Sequence, residues 1–375
     1  ARQHAARGGV RGRLGGSGHL LVKPRDTWPP WSGGLSMEVD RDRAAEPEGA
    51  AGETWFAFRY SSAYRQSELE LEMAVESADP NQLQRLLQAH PYQVDGLLRM
   101  SDYCMRTGQH ELSSELVEKA LFACQSALHP LCKLTHGRAR LRHGHPPNRL
   151  FYVALFRHMI NLGRRGCHRT AFEVCRLLLS LDPAADPLHA LLHADFYALS
   201  ARESRWLLRL PSMLPRHGLP LYPNQAYAAA FAHQLLGDTS AADTQLCRAL
   251  LLFPGVLPLL LPRVAPSAAS KETSALLARW ADAFGAEADA AAGGATLSKL
   301  QALYADRSAP LWKDFTKVQW LANSATALLD QLDAADAPTT RRRHALAAAR
   351  HASYGGAAAA HDEFGDAEAA DFSTE

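Results

Sequence analysis

The chain has 375 residues, 47% of them hydrophobic and 21% charged, with 40 Lys and Arg set against 39 Asp and Glu for a formal net charge of +1. That length allows one long or two ordinary domains with a buried core, and so even a charge balance excludes a global field that would steer the molecule to nucleic acid or membrane; a basic partner site must be local. The apolar runs stay short of the ~18 residues that a membrane-spanning helix needs, the longest, Leu250 to Leu261, being cut by Pro254 and Pro258.

Residues 1–53 read as disordered, because Arg2, Arg7, Arg11, Arg13, Lys23 and Arg25 are interleaved with glycines that cost backbone entropy and bury nothing. The chain begins at Ala1 and lacks an apolar core near its start, so it reads as a fragment without a secretory signal. Within this stretch Leu20 to Trp31 forms an island in which Trp28 and Trp31 flank a Pro-Pro pair, a stiff extended segment. It suits docking onto the folded part of the chain or onto a partner, which makes Trp28 and Trp31 candidate partner-binding residues.

Residues 54–262 are expected to form a helical-repeat core. Asp79-Pro80, Asp182-Pro183 and Asp186-Pro187 each place a capping carboxylate before a proline suited to a first helical position. Apolar residues recur at the helical period, as in Leu155, Met159 and Leu162, then Ala171, Val174, Cys175 and Leu178. Strand-like composition is confined to Trp55-Phe56-Ala57-Phe58. The helices also repeat: from Gly108, Gly166 and Gly237, five residues on lie Ser113, Ala171 and Ala242, twelve on lie Ala120, Leu178 and Ala249, and seventeen on lie Gln125, Pro183 and Pro254. A turn glycine, small residues where helices cross and a proline before the next unit are the tetratricopeptide pattern. The origins stand further apart than the ~34 residues of a strict repeat, so extra helices intervene, two of them in Pro187 to Leu210 without a turn glycine. The fold class is therefore all-α: a degenerate, tetratricopeptide-like solenoid of helix pairs with disordered termini. Residues 263–333 read as a C-terminal helical extension and the Ala- and Arg-rich 334–375 as a disordered tail.

The search for chemistry yields little. The six cysteines (Cys104, Cys124, Cys132, Cys167, Cys175 and Cys247) form no C-x-x-C pair or zinc spacing, which predicts buried, reduced thiols and an intracellular compartment. His143 and His145, with His136 nearby, lack a neighbouring carboxylate and read as a solvated loop, not a metal site. Cys167 and His168 are sequence neighbours whose side chains diverge, without a third group to orient them. No phosphate loop, dinucleotide fingerprint or nucleophile elbow is present. The expectation is a non-enzyme without catalytic residues, metal or cofactor. What remains is surface: on the helix from Leu150 to Arg165, Arg157, Asn161 and Arg164 share the face opposite Leu155, Met159 and Leu162, and Arg165 and Arg169 extend the basic edge. Guanidinium groups suit phosphates or acidic protein patches; a plain solvated face is the alternative.

Several strings are more specific than a repeat consensus. Leu21 to Met37 (LVKPRDTWPPWSGGLSM), Ala74 to Asp102 (AVESADPNQLQRLLQAHPYQVDGLLRMSD), Asn148 to Pro187 (NRLFYVALFRHMINLGRRGCHRTAFEVCRLLLSLDPAADP) and Ala249 to Pro258 (ALLLFPGVLP) resemble, in order and spacing, the transcription factor 25 family across residues 20–335. The family's yeast relative is a subunit of the ribosome quality control complex. The resemblance implies a non-catalytic adaptor on large ribosomal subunits carrying stalled nascent chains. Its implied partners are the E3 ligase listerin, ubiquitin and the AAA+ segregase that extracts the peptide. It implies a cytoplasmic location and no membrane. The older family name suggests a nuclear transcriptional regulator or corepressor acting through protein contacts, since the repeat region lacks the clustered base-reading side chains of a sequence-specific DNA-binding element. Family members carry longer ends than this chain.

Overall fold

The structure, a computed structural model, describes residues 21–41, 52–264, 271–288 and 294–354. These divide between two compact units, one within Ala1–Arg165 together with Ser180–Asp182 and the other within Gly166–Leu179 together with Pro183–Glu375. The fold is all-α, helix pair following helix pair, with one small sheet.

In the first unit that sheet is built from β1 (Leu35–Val39), β2 (Thr54–Tyr60) and β3 (Ala139–Leu141) in the order β1-β2-β3. Leu35 pairs with Tyr60 in the antiparallel β1–β2 ladder and Phe56 with Leu141 in the parallel β2–β3 ladder. The expected Trp55–Phe58 strand is β2; its two partners gave no alternating signal, β3 being three residues long. Helices α1 (Ser62–Glu76), α2 (Pro80–Ala89), α3 (Val94–Arg106), α4 (His110–Ser126) and α5 (Pro146–Arg164) follow. Asp79 caps α2 as its sequence predicts, its carboxylate accepting from the Asn81 amide at 2.9 Å. Buried Asn148 on α5 anchors the sheet, accepting from the Phe58 amide (2.8 Å) and donating to the Arg142 carbonyl (2.9 Å). Tyr152 one turn on donates to the Leu141 carbonyl (2.6 Å).

The second unit takes in most of α6 (His168–Leu181), then α7 (Leu191–Ser200), α8 (Ser204–Met213), α9 (Pro223–Leu235), α10 (Thr239–Leu252), α11 (Val256–Val264), α12 (Lys271–Ala288), α13 (Gly294–Trp312), α14 (Phe315–Asp333) and α15 (Ala337–Tyr354). The apolar run around Leu250 to Leu261 is core: Leu250, Leu252, Phe253, Val256, Leu257 and Leu260 are all fully buried. No single described helix is long and apolar enough to cross a membrane. Asp186 does cap a helix, but not one starting at Pro187; its carboxylate accepts from the Ala190 and Leu191 amides, both at 2.9 Å, at the start of α7.

The turn glycines sit where the repeat placed them, with φ of +74° at Gly108, +73° at Gly166 and +81° at Gly237. The same turn recurs without glycine, at Arg202 between α7 and α8 (φ +61°) and at Ala335 between α14 and α15 (φ +53°). At four of these turns the next amide reaches the carbonyl five residues back: Gln109 to Cys104 at 2.8 Å, Glu203 to Ala198 at 2.8 Å, Asp238 to His233 at 3.1 Å and Asp336 to Gln331 at 3.1 Å. That bond satisfies a carbonyl the helix end would otherwise orphan.

Two sequence expectations are corrected. The segment 1–53 is not disordered throughout, because residues 21–41 are held in place and include β1. The segment 334–375 contains α15, whose Ala- and Arg-rich sequence favours helix and whose buried Arg350 donates to the carbonyls of Leu251 (3.4 Å) and Leu252 (2.9 Å) at the end of α10. Residues 1–20, 42–51 and 355–375 lie outside the described residues. Cys104, Cys124, Cys132 and Cys175 are buried, but Cys247 is only partly so and Cys167 is exposed. Burial pushes the Cys124 and Cys132 thiols up to about 12, which keeps them protonated and inert.

Candidate interaction surface

From Leu21 on, the tryptophan island lies on the first unit as an irregular strap with a turn at Asp26-Thr27, fastened by side chains. Gln125, in the last turn of α4, accepts from the amides of Leu21 (2.7 Å) and Val22 (3.3 Å) and donates to the Val22 carbonyl (3.1 Å). Two and nearly three turns upstream on α4, Glu118 and Glu115 take the two ends of the Arg25 guanidinium at 3.0 and 2.9 Å. Glu115 also accepts from the Trp28 indole N–H at 2.9 Å. The buried Trp28 ring lies 5.8 Å from that of Phe122, and the Trp31 ring meets Tyr92 edge-on at 5.2 Å. The Tyr92 hydroxyl donates to the Pro29 carbonyl.

These receptors are spaced by the helix. Glu115, Glu118, Phe122 and Gln125 recur at three- and four-residue intervals, which puts them on one face of α4. Sequence reasoning singled out the two tryptophans but missed the residues that receive them. A signal existed at Gln125, which stands where the other two repeats carry Pro183 and Pro254.

The predicted basic edge is largely spent within its own unit. Arg157 donates to the Leu98 carbonyl (2.7 Å) and pairs with Asp102 (2.8 Å), both on α3. Arg165 pairs with Glu118 (3.2 Å), the same carboxylate that receives Arg25. Asn161, expected on the open face, is buried. Arg164 is exposed and has the sulfur of Met105 as its acceptor at 3.1 Å. Arg169 belongs to the second unit, where it pairs with Glu173 (3.0 Å) and Glu203. The structure therefore joins Trp28 and Arg165 through the acidic face of α4, leaves Arg164 on a sulfur in place of a carboxylate, and assigns Arg169 to the second unit.

The remaining titratable groups are structural. His145 donates from Nε2 to the Phe58 carbonyl (2.8 Å), and the His143 ring stands edge-on to Tyr152 at 5.4 Å. Burial pushes His158 down to about 4 and His193 down to about 3, so both rings are neutral at pH 7. In the second unit the fully buried Asp195 on α7 holds Arg307 of α13 at 2.8 and 3.1 Å and accepts from Asn224 of α9 at 3.0 Å. Among the described residues no group of three His, Cys, Asp or Glu side chains is placed to hold a metal ion.

A family profile described as "Transcriptional repressor TCF25" matches residues 56–361. The Homo sapiens protein named "Ribosome quality control complex subunit TCF25" is 38% identical over 330 residues, covering 84% of this chain and 47% of the human protein. The Schizosaccharomyces pombe "Ribosome quality control complex subunit 1" is 35% identical over 246 residues, 65% of this chain and 36% of its own length. An Ampulloclitocybe clavipes protein named "Probable transcription factor claV" is 31% identical over 356 residues, 86% of this chain and 44% of its own. The chain thus spans half or less of the length of these relatives. No solved structure matches it.

Proposed function

The chain belongs to the TCF25 family, and from that membership we propose that it is a non-catalytic adaptor subunit in ribosome quality control. The observation that carries this reading is the extent of the match: relatives named as subunits of that complex align along 84% of the chain, through both compact units. The geometry supports an adaptor over an enzyme. Several of the buried or half-buried polar side chains hold backbone, as with Gln125, Asn148 and Arg350, or pair with one another, as with Asp195 and Arg307.

On this reading the protein sits on large ribosomal subunits bearing stalled nascent chains. There it holds the ligase listerin, ubiquitin and the AAA+ segregase in productive relation, in the cytoplasm. Of the basic edge, Arg164 is the contact we retain, because its cation faces solvent while Arg157 and Arg165 are engaged by carboxylates. A second reading, a nuclear corepressor working through protein contacts, is favoured by the family's description and by the name of the fungal relative.

Sucrose-gradient sedimentation in cells expressing a stalled-translation reporter separates the two. Migration with free large subunits, and accumulation of the stalled peptide on deletion, is the expected result; exclusive chromatin association without a ribosomal fraction overturns it. Arg164→Glu should lower the ribosomal fraction while the protein stays folded.

A further inference from the structure

The strap from Leu21 to Trp31 is bound the way a peptide is bound, not the way a strand is built in. The backbone–backbone hydrogen bond described within it, Trp28 N–H to the Arg25 carbonyl at 3.0 Å, is internal. Its attachments to the rest of the unit come from receptor side chains. The Gln125 amide reads the main chain on both its donor and acceptor sides, two carboxylates read Arg25 and the Trp28 N–H, and aromatic rings receive the two indoles. Lys23, Pro24, Asp26, Thr27, Pro29 and Pro30 stay exposed between the anchors. The segment joins β1 through Gly33 and Gly34, whose φ values of +83° and +98° only glycine adopts readily. The Gly34 carbonyl is held by the Ser61 amide at 2.9 Å, so a pivot at Gly33 would leave the β1–β2 ladder undisturbed.

We propose that the face of α4 bearing Glu115, Glu118, Phe122 and Gln125, together with Tyr92, is a peptide-recognition groove, and that the chain's own strap is its tethered, displaceable occupant. The occupant that displaces it is a segment of a partner protein that turns between an arginine and a tryptophan three residues on, with proline after it, as the strap turns at Asp26-Thr27. Charge complementarity argues for that chemistry: the groove floor presents two carboxylates to the arginine, and Glu115 also takes the indole N–H. A residue lacking either a delocalised cation or a ring donor would leave those acceptors short of partners. The prolines on either side of that turn restrict the backbone of the free ligand and so lower its ordering cost. The strap thereby sets a threshold: a partner segment must outcompete a ligand held on a short tether, at an effective concentration on the order of millimolar.

The test is fluorescence polarisation with a labelled synthetic peptide spanning residues 21–32, added to the full chain and to two full-length variants, Trp28→Ala and Arg25→Glu. Each variant loosens the tethered strap but leaves the groove intact. Arg25 is exposed, so the second variant keeps the fold even if the first does not. The peptide should bind both variants at least about tenfold more tightly than the wild-type chain, and adding Glu115→Lys to either should abolish binding. Equal affinity for wild type and a folded Arg25→Glu chain, or no binding to that chain, would show that the strap is a fixed part of the fold. A dimer of the full chain that the peptide dissolves would replace the partner segment by a second copy and overturn the choice of occupant.

Discussion

In the first unit the strap and the small sheet are fastened by neutral side chains reaching main-chain atoms: Gln125 to Leu21 and Val22, Asn148 to Phe58 and Arg142, Tyr152 to Leu141. In the second unit one polar cluster turns inward on itself: the fully buried carboxylate of Asp195 on α7 holds Arg307 of α13 and Asn224 of α9. The difference lies in what a broken contact leaves behind. Losing a neutral tether frees a segment that water can solvate. Losing one half of a buried ion pair strands a charge.

The sharpest way to break that comparison is to cut one contact in each unit. Asp195→Ala should cost about 3–5 kcal/mol, because the Arg307 guanidinium stays buried without its counter-charge. Asn148→Ala should cost about 1–3 kcal/mol, the desolvation left at the buried Phe58 amide. Denaturant midpoints of the two variants measure the difference, and equal losses would mean that the ion pair is no more than another tether. Replacing both partners, with Asp195→Leu and Arg307→Met together, should recover most of the larger loss.

A smaller effect sharpens the comparison through pH. His158 in the first unit and His193 in the second are each held well below the ordinary histidine value, His158 by burial, which outweighs the upward pull of Glu118 and is aided by the smaller push of Arg165, His193 chiefly by burial and then by Arg307. A folded pKa below the unfolded one means that the unfolded chain binds more protons, so stability rises with pH. Their contribution is complete above about 6.5 and fades as pH falls toward about 4 for His158 and about 3 for His193. Each ring should cost about 1.4 kcal/mol per pH unit in that window. Melting temperatures from pH 7.5 to 5 should show the slope, and His158→Gln should flatten it by half. An unchanged slope in that variant would assign the acid loss to other groups.

Much of the helical order was legible. Periodic apolar positions, the Asp79 cap and the glycines at 108, 166 and 237 located helices and turns because each signal lies within a few residues of its effect. What escaped was held by partners far along the chain, 87 residues for Trp28 and Glu115 and 104 for Leu21 and Gln125. Nothing near Leu21 or Trp28 announces Gln125 or Glu115, and nothing near β3 announces β2. The candidate site was half legible for the same reason: two tryptophans between prolines mark a ligand, but their receptor is an ordinary-looking helix face. The basic edge misled because charge counts along one helix omit the carboxylates on its neighbours, here Asp102 and Glu118. With α15 the composition argued both ways; Ala and Arg form helices as readily as they fill tails, and burial of Arg350 decides it.

The turn at Arg202 offers the finest test, since it asks how much of the repeat is geometry and how much is glycine. Arg202 holds the same left-handed conformation as Gly108 and Gly237, and the Glu203 amide makes the same bond to the carbonyl five residues back. A side chain there strains the backbone by about 1–2 kcal/mol, and glycine would relieve that strain while adding unfolded-state entropy. Arg202→Gly should therefore stabilise the protein by about 0.5–1 kcal/mol, the difference between the two. Gly108→Ala, at a site with open space for a methyl group, should destabilise by a similar amount through φ alone. Thermal unfolding of the two variants measures both signs. If Arg202→Gly destabilises instead, the turn between α7 and α8 depends on the arginine itself, and the likeness to the glycine turns is one of shape without shared energetics.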